Sequence, residues 1–208
     1  MTEPDVTLTD IGLALQCAVL AYLVGRCRST AVRRAFVGLF ASVAASALAG
    51  AAIHGSFFPG KAADIIWPMT LVALGLTALA AWRIGAILMA SPAGHWLGQA
   101  AVVEFLLYCC VVLFLTQSFT VAIVNYFPAM LFLFAIFLRE LKRTGASGPR
   151  WGALALALMF IGSLVQLQRL ALHPVYFNHN ALYHAIEAIA LLFMFWAARW
   201  AVTARATT

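Results

Sequence analysis

Residues 180–202 read NALYHAIEAIALLFMFWAARWAV, and the hydrocarbon content of that run decides the fold. Its formally charged residues are Glu187 and Arg199, and about 20 mostly apolar residues in a helix cross the hydrocarbon core of a bilayer. The stretch is expected to be a transmembrane helix. Six further runs of this kind lie near 9–26, 33–55, 64–90, 95–116, 118–139 and 150–169. Lipid admits only helices and closed barrels, because every backbone polar group must be satisfied within the chain, and long unbroken apolar runs lack the alternation of a barrel strand. The fold class expected is therefore all-α: a polytopic membrane protein whose 208 residues form one seven-helix bundle.

Composition agrees, with 64% hydrophobic and 10% charged residues. The formal charge of +6 does not mark a nucleic-acid binder, since the basic residues sit in short clusters between apolar runs. They read as topology signals. Arg26, Arg28, Arg33, Arg34, Arg139, Lys142, Arg143, Arg150, Arg199 and Arg205 fall on one side of the predicted spans, and Arg83 can snorkel to it. Lys61 and Arg169 fall on the other. The excess of Lys and Arg marks the cytosolic side, which puts the acidic N-terminus outside and the C-terminus in the cytosol. Cys17, Cys27, Cys109 and Cys110 show neither metal-site nor disulfide-framework spacing and read as apolar packing residues.

With that parity, His54, Asp64, His173, His179 and His184 share the outer layer, and only His95 of the five histidines lies opposite. In the second span, Gly38, Ser42, Ser46, Gly50 and His54 recur every four residues and form a small-residue stripe that lets two membrane helices approach closely. In the seventh, His184 and Glu187 share a face. His179 lies about 140° away from His184 on an ideal helix, so it joins His184 only if the helix starts near Asn178 or Asn180, either of which is a good N-cap. Asp64 opens the third span, where it can cap the helix, orient a histidine or hold a metal-bound water. Glu104 and Glu187 are the acids deepest within spans, where ionisable groups are costly. Thr70, Asn125, Tyr183 and Gln166 are candidates for lining an outward pocket, and Pro68 and Pro128 are expected to bend spans three and five.

Neutral imidazoles suit zinc, and three protein ligands with one water make a catalytic site. The metal ligands expected are His54, His184 and His179, with His173 or Asp64 as alternatives for the third; the catalytic candidates are Asp64 and Glu187. A Zn2+-bound water near a membrane boundary points to hydrolysis of a membrane lipid amide or ester. A proton-linked transporter using Glu104, Glu187 and His184, and a non-catalytic sensor or scaffold, are the competing classes.

The segments AAIHGSF (51–57), DIIWPMTLVALGLTA (64–78) and FNHNALYHAIEAIALL (177–192), set in seven spans, resemble the CREST superfamily of membrane hydrolases, which includes alkaline ceramidases and the progestin and adipoQ receptors. They also resemble a bacterial membrane family within that pattern, which implies a multi-pass protein of a bacterial inner membrane. The resemblance implies a zinc site built from His54, His184 and a third histidine, assisted by Asp64, and cleavage of a lipid amide or ester. Two positions differ from the superfamily pattern. Gly50 stands where a serine usually precedes the span-two histidine by four residues, and Asn180 stands at the first position of the span-seven HxxxH.

Overall fold

The computed structural model describes residues 3–58 and 60–204, and Arg205 lies outside the described residues. Seven helices are long and apolar enough to cross a membrane: α1 (Pro4–Gly25), α2 (Ala31–His54), α3 (Lys61–Met89), α4 (Pro92–Cys110), α5 (Phe119–Thr144), α6 (Ser147–Leu167) and α7 (His179–Ala204). A π-helical turn, Val111–Leu115, extends α4. Most helices follow the expected spans to within a few residues. The exception is α1, which starts at Pro4 rather than near residue 9. Proline is preorganised for the first helical position, so residues 4–8, which hydropathy leaves outside the first span, open the first helix.

Side chains set several of the boundaries. The hydroxyls of Thr30, Ser91 and Ser118 accept from the backbone N–H of Arg33, Gly94 and Thr120 at 3.1, 3.2 and 3.3 Å, satisfying donors that a helix start leaves open. Helix α5 ends at Gly145, whose φ of 64° is the left-handed conformation that glycine adopts without strain. Arg33 reaches back from α2 and donates to the carbonyl of Gly25 at 2.6 Å, covering the end of α1.

Neighbouring packing runs α1–α2–α3–α5–α6–α7 and closes where α7 packs on α1. Six helices thus form a ring, and α4 lies outside it against α3. Lipid tails are as apolar as leucine, so close contact and hydrogen bonding hold such helices together. Gly148 of α6 lies directly against the Trp200 ring of α7. The buried Tyr108 of α4 donates to the Leu71 carbonyl of α3 at 2.9 Å, and a Cβ on Gly75 would sit 2.5 Å from its ring. Ser42, on the small-residue stripe of α2, exchanges a 2.8 Å hydrogen bond with Thr77 of α3. The arginine-rich end of the ring is filled by Phe36, Phe40, Ile84 and Phe137. There the buried Glu140 accepts from Arg143 at 2.6 Å. The histidine end is not filled.

Candidate functional site

A cavity of about 280 Å³ occupies the middle and histidine end of the ring and takes its walls from all six helices. Most of that wall is hydrocarbon, including Leu39, Val43, Leu133, Leu156 and Met194. Its polar end is made by Asp10, His54, Asn180, His184 and Glu187. No lysine or arginine of the described residues lines it.

His184 lies one turn into α7 and is held from α1. Its Nδ1 is 3.1 Å from the Thr9 hydroxyl, and its Nε2 is 3.5 Å from Asp10 Oδ1. The Thr9 hydroxyl lies within 3.0 Å of the Asp5 and Val6 carbonyls, acceptors that can only take its proton. Thr9 therefore accepts from His184, which assigns the imidazole proton to Nδ1 and leaves a lone pair on Nε2 facing the carboxyl of Asp10. The other oxygen of that carboxyl, Oδ2, is buried and has no hydrogen-bond partner among the described residues. Two electron-rich groups thus face one another. A shared proton, a cation or a ligand N–H or O–H satisfies the arrangement, since buried polar groups left open are costly.

Gly50 creates the space for this carboxyl. A Cβ there would lie 2.9 Å from Asp10 Oδ2 and 3.2 Å from Oδ1. The carboxyl of α1 thus fills the volume beside α2 that a side chain at residue 50 would take.

His54 ends α2, and its Nδ1 pairs with Glu3 Oε2 at 2.5 Å. The backbone N–H of Glu3 donates to the His54 carbonyl at 3.3 Å. Asp5 Oδ2 accepts from the Asn178 N–H at 2.8 Å, and Asn178 Oδ1 caps α7 by accepting from Asn180 and Ala181 at 2.9 and 3.1 Å. The first turn of α1 is consequently laced to the end of α2 and the start of α7. A carboxylate on the second nitrogen of an imidazole fixes the orientation of the ring.

Glu187, one turn below His184, lines the cavity together with Tyr183. Gln166 of α6 donates to Asn180 Oδ1 at 2.6 Å, and both residues line the cavity. Thr70, Gln166 and Tyr183 line it as expected, and Asn125 does not.

His54, His184 and Glu187 are therefore brought together, and the other expected site residues are not. His179 is the first residue of α7 and lies outside the cavity lining. The helix starts where the Asn178 cap predicts, but at its first position the His179 side chain lies on another face from His184. Asp64 is also outside the lining: α3 begins at Lys61 with Gly60 as its cap residue, which leaves Asp64 exposed in the first turn. His173 is an exposed loop residue whose Nδ1 accepts from the Val175 and Tyr176 N–H groups at 3.2 and 3.1 Å. His95 lies at the far end, beside Gln99. Among the described residues no three His, Cys, Asp or Glu side chains are placed to hold one metal ion.

The residues that sequence reasoning missed are Asp10, Thr9 and Glu3. A signal for the first was present: the buried face of α1 runs Val6, Asp10, Leu13, Cys17, Leu20, Val24, and Asp10 falls on that stripe at spacings of three and four.

Against known protein families, the model of a family of unknown function, DUF6962, matches residues 6–202. The chain belongs to that family. No curated protein and no solved structure matches it.

Proposed function

We propose that this DUF6962 member is a membrane-embedded hydrolase of a lipid amide or ester, working in a bacterial inner membrane. The observation that carries the reading is a hydrocarbon-walled cavity with one polar end, at which Asp10, His54, His184 and Glu187 meet. An acyl chain lies along the leucine and methionine wall, and the polar end receives the scissile carbonyl. His184 Nε2 takes a proton from water, and Asp10 stabilises the resulting imidazolium. The hydroxide adds to the carbonyl carbon. The imidazolium returns its proton to the leaving nitrogen or oxygen as the C–N or C–O bond breaks.

One observation favours a metal-assisted form. The lone pair of His184 Nε2 and the open Asp10 Oδ2 are donors a divalent cation takes, so Zn2+ would draw on Asp10, His54 and His184 rather than on His179. Bound there, it would supply a Lewis acid and a hydroxide near neutrality. The side chains as they stand do not enclose it, and the acid–base route does not depend on it.

The test is release of fatty acid from a panel of N-acyl and O-acyl lipids by protein in nanodiscs, with and without chelator, together with metal analysis. Turnover lost in His184→Ala and Asp10→Asn supports the reading. One zinc per chain, lost in His54→Ala and His184→Ala, selects its metal-assisted form. Absence of turnover across the panel, or full turnover in His184→Ala, overturns it.

A further inference from the structure

The arginine-rich end carries a second hollow. A groove of about 610 Å³ lies where the start of α2, the end of α3 and the start of α4 meet. Helix α4 stands outside the ring, and Gly94 lets its first turn rest on α3, where a Cβ would lie 2.4 Å from the Ala86 carbonyl oxygen. Ala31 of α2 lines the other side. The polar lining residues are Arg83, Ser91, His95 and Gln99, and the rest are apolar or glycine, with no carboxyl group among them. Ser91 Oγ accepts from the Gly94 N–H at 3.2 Å, which leaves its hydroxyl proton to be given. His95 Nε2 accepts from the Gln99 amide at 3.2 Å, which puts the imidazole proton on Nδ1.

Arg83 is exposed and forms no ion pair among the described residues. It lies within the apolar span of α3, before the helix ends at Met89, where a charge without a partner is costly, and a guanidinium cannot shed its proton. Arg34, exposed and three residues after Ala31, shares the same face of α2 and adds to the positive field. Toward the middle of the bundle, Leu76 and Met69 continue the Arg83 face of α3 at seven-residue spacing. Both are exposed, as is Val102 of α4, which lines the groove itself.

We infer that this groove binds an anionic phospholipid, its phosphate held by Arg83 with the donors of Ser91 and His95, and its acyl chains laid along Leu76, Met69 and Val102. Charge-assisted donors meet the phosphate oxygens, and the exposed hydrocarbon of α3 and α4 continues the site into the bilayer. A zwitterionic head gains less, since no carboxylate in the groove answers its ammonium. The groove and the histidine cavity share no lining residue, so the inference stands whether or not the protein cleaves a lipid.

The experiment is native mass spectrometry of the full chain in detergent, titrated with dioleoyl phosphatidylglycerol, dioleoyl phosphatidylcholine or glycerol phosphate. Phosphatidylglycerol is expected to bind about five- to tenfold more tightly than phosphatidylcholine, and glycerol phosphate not to displace it. Arg83→Gln should abolish the preference. Gly98→Leu keeps every charge and fills the groove, where a Cβ has room, its nearest neighbour being Ala86 Cβ at 3.8 Å; it should weaken phosphatidylglycerol binding as well. Arg199→Gln, on α7 and outside the groove, should leave the preference intact. Equal binding of the two phospholipids, or displacement by glycerol phosphate at equal concentration, overturns the inference without any variant. A preference that survives Arg83→Gln, or that falls equally in Arg199→Gln, also overturns it.

Discussion

Replacing Gly50 with alanine tests whether the Asp10 carboxyl occupies the space beside α2. The new methyl would stand 2.9 Å from Oδ2 of Asp10, closer than a Cβ tolerates, and 3.2 Å from Oδ1 and 3.3 Å from Cγ, tight contacts that require the carboxyl to shift. The carboxyl stem is short and emerges from a helix packed along its length on α2, so the strain falls on the α1–α2 seam. Overpacking of this kind costs about 1–3 kcal/mol. Asp10→Ala is expected to be close to neutral or stabilising, because it removes a buried group with one oxygen unsatisfied. In Gly50→Ala/Asp10→Ala the obstruction is gone, so the double variant should match Asp10→Ala, with a coupling equal to the Gly50→Ala cost, about 1–3 kcal/mol. The assay is reversible unfolding in mild detergent followed by the six tryptophans. Additivity, with the double variant as damaged as Gly50→Ala alone, would refute the placement of Asp10.

Thr9→Val removes the acceptor that fixes the His184 tautomer; turnover should fall about 10–100-fold, as for loss of an orienting partner, with the unfolding temperature little changed, measured by lipid hydrolysis beside thermal unfolding. Gly148→Ala drives a methyl into the Trp200 ring and is expected to cost about 1–3 kcal/mol by the same unfolding assay; a neutral result would show that α6 and α7 are less tightly joined. Tyr108→Phe leaves the Leu71 carbonyl without its added donor and should lower stability by about 1 kcal/mol. Arg143→Ala strips the buried Glu140 of its cation, so it should destabilise more than Arg143→Lys, and the order of the two variants in a melting series checks this.

The seven helices were legible because bilayer thickness fixes how many apolar residues each needs, and no tertiary knowledge enters that count. His54, His184 and Glu187 were legible for a related reason: an ionisable side chain within an apolar run is costly unless it has a purpose. Asp10 was hidden by the same reasoning. It lies at the very start of the first apolar run, just after Glu3 and Asp5, and there charge reads as a topology signal. Only the proline start at Pro4 and the stripe Val6, Asp10, Leu13, Cys17 place it inside a helix and on its packed face. For His179 and Asp64 the difficulty is the reverse, since nearness in membrane depth does not bring nearness in space. Depth is set by hydropathy, whereas the direction of a side chain depends on helix phase, and a one-residue displacement turns it by about 100°.

The contacts of His184 with Thr9 and Asp10 join the first and last helices of the chain. During biosynthesis α1 enters the bilayer with its carboxyl unanswered, and five more spans must be threaded before the imidazole arrives. Assembly of the polar end therefore waits for α7. A ribosome stalled ahead of α7 would release a bundle with an open seam and a stranded acid, a species that membrane quality control is built to remove.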